Sequence, residues 1–237
     1  MFDISGKSAL ITGGTSGIGA AIANQLFAAG CRVLAAGLPE EKPTPDLDHK
    51  IEVAGLDVSD AESIWRLTAN LERLDILINS AGIIRRSAEF DCSTFERVID
   101  VNLTGTMRMC TACRALLAAR GGSIVNVASM FSFFGSGLSP AYTASKGGIV
   151  QLTKSLAIAW APDNIRVNAV APGWIATPLT QVLQDDPIRS AAILSRTPLN
   201  RWGRPEDLPG AVVFLCSPAA AFITGVTLPV DGGYLIS

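Results

Sequence analysis

The chain has 237 residues, 49% of them hydrophobic and 17% charged, with a formal net charge of -2. That length and apolar fraction suffice for one sizeable buried core, so a single domain spanning 1–237 is expected. The balanced charge, with no dense Lys/Arg run, argues against a nucleic-acid or anionic-membrane binder and leaves small molecules as the expected ligands.

The first residues, MFDISGK, carry an acid at Asp3 and no apolar run. Neither a secretory nor a transit signal is indicated, and the cytoplasm is the expected location. Seven short aliphatic or β-branched runs then read as strands: SALIT (8–12), CRVLAA (31–36), IEVAGL (51–56), DILIN (75–79), SIVNVAS (123–129), IRVNAVA (165–171) and VTLPV (226–230). Between them, 17–29, 60–72, 93–119, 141–160 and 205–217 carry apolar residues at helical spacing. Alternation of this kind predicts an α/β fold, a single Rossmann-type doubly wound parallel sheet of about seven strands with helices on both faces. The strands are apolar throughout and not alternating, as sheets covered on both faces require.

Two stretches break the rhythm. Residues 38–49 form a proline- and acid-rich connection, and 172–204 are irregular and proline-interrupted. Ligands of open α/β sheets sit beyond the carboxyl ends of the strands, so 172–204 is expected to be a substrate lid. Residues 121–145 carry no charge, but serines, glycines, an asparagine and a proline interrupt them, which is unlike a membrane span. The five cysteines read as reduced thiols. Cys110 and Cys113 form a C-x-x-C with no second pair or His cluster to complete a zinc site, so small buried side chains on a helix are expected and no metal is. His49, the single histidine, falls in the polar 38–49 connection and reads as a solvated loop residue.

Directly after the first strand comes TGGTSGIG, residues 12–19, with Gly13, Gly17 and Gly19 leading into a helix. Glycines there allow a sharp turn and let a pyrophosphate approach the amides and positive dipole of the helix N-terminus. No G-K-[ST] follows, which argues against a nucleoside-triphosphate loop. Farther on, AYTASKG places Tyr142 and Lys146 four residues apart at the start of a helix, on one face. A free phenol titrates near pH ~10 and needs about 4 kcal/mol to become a base at neutral pH. A cation about 4 Å away in a medium of effective dielectric ~20 supplies that much. The alternative for the pair alone is a helix-surface contact. Ser129, ending the preceding strand, is expected at the same sheet edge and within reach of the same carbonyl oxygen.

Together these elements make the chain resemble the short-chain dehydrogenase/reductase superfamily nearly from end to end. TGGTSGIG matches its cofactor turn, LDV at 56–58 its adenine-contacting acid, NSAG at 79–82 its NNAG element with Ser80 in place of the second Asn, and YTASK its catalytic run. PGWIATP at 172–178 and VDGG at 230–233 match later elements. The resemblance implies NAD(P)-dependent interconversion of a secondary alcohol and a ketone. Tyr142 would be the acid/base, Ser129 would orient the carbonyl, Lys146 would lower the tyrosine pKa and bind the nicotinamide ribose, and Asn102 would hold a relay water; a helix kink or cap is the other reading of Asn102. It further implies cofactor contacts from Gly13, Thr15, Ser16, Gly17, Ile18, Gly19, Gly37, Asp57, Val58, Asn79, Ala81, Gly82, Pro172, Gly173, Ile175 and Thr177, together with Tyr142 and Lys146. A homotetramer with the long helices and the C-terminal segment at interfaces is implied as well.

The end of the second strand reads AAGLPEE, with Gly37 where an acid usually reads the adenosine ribose. Nothing basic stands there to hold a 2′-phosphate, so NAD is favoured over NADP, with Lys42 the residue able to reverse that preference. Just past NSAG, IIRR places Arg85 and Arg86 at the ligand edge, where guanidiniums can take a carboxylate bidentately. The local runs are most similar to the 2-dehydro-3-deoxy-D-gluconate and gluconate 5-dehydrogenase branch, which implies a sugar acid or polyol bound by Ser129, Tyr142, Arg85, Arg86 and Trp174. Met130, Phe131, Phe133, Phe134 and Trp174 add an apolar side compatible with core and subunit packing, or with a 3-oxoacyl thioester or general ketone as substrate. A dinucleotide-sensing protein that has kept the fold without the reaction is the alternative of another class.

Overall fold

In a computed structural model describing residues 2–237, all seven expected strands form: β1 (Ser8–Thr12), β2 (Arg32–Gly37), β3 (Glu52–Gly55), β4 (Ile76–Asn79), β5 (Ser123–Val127), β6 (Arg166–Pro172) and β7 (Thr227–Val230). They pair in parallel in the order β3-β2-β1-β4-β5-β6-β7. The chain starts in the middle of the sheet, builds one half outward to β3 and returns to β4 to build the other. The carboxyl ends of β1 and β4 therefore border the crevice where the winding reverses, the place such sheets offer a ligand.

The helices are α1 (Gly17–Ala28), α2 (Ala61–Thr68), α3 (Cys92–Ile99), α4 (Gly105–Ala118), α5 (Pro140–Ala159), α6 (Gln181–Gln184), α7 (Pro187–Ser195) and α8 (Pro209–Cys216). Successive strand residues point to opposite sheet faces, and here both faces are apolar. Ile11, Ile76, Ile78 and Val125 pack with Ile22 and Leu26 of α1 and Val212 and Leu215 of α8. Leu10, Leu77, Ile124 and Val167 pack on the other face with Met109 and Leu117 of α4 and Leu156 of α5. Each such aliphatic side chain contributes about 1.5–3 kcal/mol on burial, which fixes the sheet as the rigid platform of the molecule.

The single helix expected over 93–119 is instead α3 and α4 joined by a π-helical turn, Asp100–Thr104. Its cause lies in Asn102, whose buried side chain turns toward Ile83 and Ser145. Cys110 and Cys113 are buried on α4, and burial pushes both thiols up to about 12, as befits packing groups and not reactive ones. The segment 172–204 holds α6 and α7 and covers the carboxyl edge of the sheet. Among the described residues no helix is long and apolar enough to cross a membrane, and no His/Cys/Asp/Glu cluster could hold a metal.

Candidate active site

A cleft of about 480 Å3 runs along the carboxyl edge of the sheet, from the glycine turn past the end of β5 to the segment after β6. At one end the turn after β1 brings α1 up with its N-terminus open. Asp side chains cap α2, α3 and α7, whereas Ser16 caps nothing at α1 and no acid lies in its first turn. The free amides and positive helix end are thus left for an external anion. Gly13 has φ +63°, and a Cβ there would press on the backbone of Ala81; a Cβ at Gly19 would land on the carbonyl oxygen of Gly13. Only glycine permits strand, turn and helix to approach this closely. The residues present fit a dinucleotide, whose pyrophosphate the open α1 amides would hold.

Gly37, Leu38, Glu41, Asp57 and Val58 border the same end of the cleft, where the adenosine would lie. The space a side chain at position 37 would need is filled by the Thr15 side chain, so an acid there would have to displace it. Burial works against ionisation of Asp57, but the hydroxyl and amide of Ser59 and the Arg97 guanidinium outweigh it and hold the carboxyl below its usual range. Arg97 is a cleft residue that sequence reading missed. It sits in an ordinary amphipathic helix with nothing local to mark it, and its guanidinium is engaged by Asp57 and Ser59.

At the other end Ser129, Tyr142 and Lys146 meet. Ser129 leaves β5 extended, and its hydroxyl accepts from the amide of Phe131 and acts on the nearby Tyr142 phenol. Ser132 ties this loop to α5 by donating to the Lys146 carbonyl at 2.7 Å. Burial pushes the phenol of Tyr142 above its ordinary value; Ser129 and the Arg86 charge pull it back, and Glu89 pushes it up again. Lys146 is buried, and desolvation lowers its ammonium to about 8. Its Nζ donates to the Val127 carbonyl at 2.7 Å and stands 5.7 Å from the Tyr142 ring centroid. A strand-end carbonyl thus claims the ammonium, and the cation whose charge acts on the phenol is the Arg86 guanidinium.

Two expected site residues do not border the cleft. Asn79 turns under the sheet edge, where its amide donates to Asn126 Oδ1 at 2.9 Å and to Cys110 Sγ. Asn102 is fully buried and braces the loop after β4: Oδ1 accepts from the Ile83 amide at 2.8 Å and Nδ2 donates to the Ile83 carbonyl and Ser145. All the other expected cofactor and substrate residues line the cleft, including Ile18, Gly82, Pro172, Gly173, Ile175 and Thr177. Arg85 and Arg86 lie there too, as does Trp174, which packs edge-on against Phe131 at 5.7 Å and Trp202 at 6.1 Å. Phe131 meets Phe134 at 5.3 Å and Tyr142 at 6.2 Å, so the aromatic wall serves largely to pack against itself.

A phenol beside a serine in a cleft that begins at an open helix N-terminus can give or take a proton at an alcohol oxygen, and Ser129 could polarise the same oxygen. A bound nicotinamide supplies the hydride partner. Residues 13–235 match a family model described as Enoyl-(Acyl carrier protein) reductase. The chain is 41% identical to the 2-dehydro-3-deoxy-D-gluconate 5-dehydrogenase of Dickeya dadantii, over 99% of this chain and 97% of that one.

The chain belongs to the short-chain dehydrogenase/reductase family.

The dehydrogenase is also 40% identical to the Bacillus subtilis enzyme of the same description, over 99% of this chain and 96% of that one. Among solved structures it superposes on a gluconate 5-dehydrogenase from Burkholderia cenocepacia in complex with NADP and tartrate, with a TM-score of 0.92, 35% identity and coverage of 100% and 98% of the two chains. It is an NAD(P)-dependent alcohol dehydrogenase/ketone reductase.

Proposed function

We propose that this dehydrogenase interconverts the secondary alcohol and ketone of a sugar acid, with Tyr142 as acid/base, Ser129 and Lys146 beside it, and Arg85 and Arg86 receiving the carboxylate. The observation carrying the substrate class is Arg86. It is half-buried in the cleft, acts electrostatically on the Tyr142 phenol, and donates its only side-chain hydrogen bond to the Leu179 carbonyl. Burial draws the guanidinium below its usual value although the nearby Tyr142 and Glu89 charges work the other way, and among the described residues it has no salt-bridge partner. A substrate carboxylate supplies that partner with two parallel hydrogen bonds. Relatives named for gluconate derivatives, and one solved with tartrate, support the same reading.

A panel of aldonates, keto-aldonates and neutral polyols of equal length, followed by nicotinamide absorbance, tests it. Arg86→Ala is expected to raise KM for the acids by about ten- to a hundredfold and to leave KM for the polyols unchanged. Equal use of polyols and acids by the parent enzyme would sink the proposal, and turnover of 3-oxoacyl thioesters alone would replace it.

The preference for NAD rests on Glu41, which borders the adenosine end while Lys42 does not. A carboxylate there repels a 2′-phosphate and substitutes for the acid excluded from position 37. Glu41→Arg is expected to lower the ratio of kcat/KM for NAD over NADP by at least about tenfold. An unchanged ratio would remove Glu41 from the reading.

The assembly proposed is a cytoplasmic homotetramer. Ile158 on α5, Met107 on α4, and Phe222 and Ile236 near the C-terminus are apolar and exposed, which supports burial by further copies.

A further inference from the structure

Two acids are buried among the described residues, Asp75 and Glu89, and they are held differently. Asp75 is paired with Arg73 and Arg120. Glu89, 1% exposed, makes no salt bridge. Its Oε1 accepts from the Arg85 amide and its Oε2 from the Tyr142 amide, each at 2.8 Å. Burying a carboxylate on neutral donors alone costs free energy that packing does not return, so a retained one needs a reason in the site.

The reason lies in how α5 begins. Ser139 stands at the cap position without capping, and Pro140 opens the helix, so the first-turn amide of Tyr142 has no local acceptor. Glu89 provides one from the short turn Ala88–Phe90 packed against α5, and its charge sits where the α5 dipole is positive. With its other oxygen it holds the first guanidine-bearing residue of the loop after β4. One side chain thus spans the two elements that carry the charge-recognition and proton-transfer groups.

We propose that Glu89 is a positioning residue of the active site, locking the loop that bears Arg85 and Arg86 to the first turn of α5 so that the guanidiniums and the Tyr142 phenol keep a fixed mutual geometry. Its substrate arm rests on the sugar-acid reading above; its effect on Tyr142 does not. The groups facing that phenol are Ser129 from the end of β5, Arg86 and Glu89 from the β4 loop, and Lys146 one turn along α5, with Arg189 acting on Arg86 from α7. Loss of the Glu89 charge removes the one neighbour opposing phenolate formation.

The chain has two tyrosines, Tyr142 and Tyr234, so phenolate absorbance follows the site without any substrate. Glu89→Gln keeps the shape but can accept at only one amide. Glu89→Asp keeps the charge but is a methylene too short to reach both. In folded enzyme, checked by melting temperature and NAD affinity within about twofold of the parent, both variants are expected to lose about ten- to a hundredfold in kcat on the best hydroxy acid. Only Glu89→Gln is expected to move the Tyr142 midpoint to lower pH, with Tyr142→Phe assigning the titration. Parent-like kcat in both variants with an unmoved midpoint overturns the proposal, as does a lower melting temperature with unchanged kcat per folded site. If the parent oxidises no hydroxy acid, the sugar-acid reading fails alone, and an unmoved midpoint in Glu89→Gln still decides against Glu89.

Discussion

Tyr142→Phe should cut turnover at least about 10^3-fold while cofactor affinity stays within about twofold, because general acid–base transfer is worth about 10^2 to 10^4 and no other side chain reaches the same oxygen with a titratable proton. Phenylalanine keeps the edge-to-face contact with Phe131, so the fold is left intact. The pH dependence of the parent enzyme follows from the direction of the phenol's shift. Burial raises it, so the phenolate needed to take a proton from an alcohol is scarce at neutral pH, and oxidation should climb as pH rises. Reduction needs the protonated phenol and should be flat across neutrality, falling only at high pH. Stopped-flow hydride transfer in both directions measures this, and a variant keeping a tenth of the parental rate would remove Tyr142 from its role.

Gly19→Ala is expected to weaken cofactor binding about a hundredfold or more, equivalent to about 3 kcal/mol, and to lower the melting temperature by several degrees. The added methyl would overlap the carbonyl oxygen of Gly13, and both are backbone-borne, so no side chain can move aside. The turn must open, and the free amides of α1 move off the pyrophosphate. Gly135→Ala, where a Cβ meets nothing within 4 Å, is the matched control and should bind normally. Cofactor titration by fluorescence decides the point, and equal affinities would refute the cradle.

What could be read from the sequence was whatever depends on short-range pattern. The strands declare themselves because both faces of the sheet are covered, so SALIT or SIVNVAS is apolar throughout. TGGTSGIG and YTASK carry their geometry in local spacing, and the structure brings them to one cleft. Interactions across distant segments left no trace. Lys146 looks like a partner of Tyr142 at helical spacing, but a carbonyl at position 127 competes for its ammonium. Nothing in AEFD marks Glu89, and only the fold brings the Tyr142 amide, 53 residues on, against it. Asn79 and Asn102 sit in recognisable motifs, yet their amides are turned inward to brace the strand and loop on which the cleft is built.

The π turn at Asp100–Thr104 sets a phase. A π turn holds one residue more than an α-helix needs, and each residue advances a helix by about 100°. Deleting Val101 would let α3 and α4 heal into one regular rod with α4 still in phase, whereas drawing all five residues of the turn into regular α-helix would rotate α4 by about that angle. Met109, Cys110, Cys113 and Leu117, all on the face packed to the sheet, would then swing toward solvent together. The irregular turn and the apolar stripe after it are therefore a matched pair: the chain can straighten the turn only by shedding the extra residue.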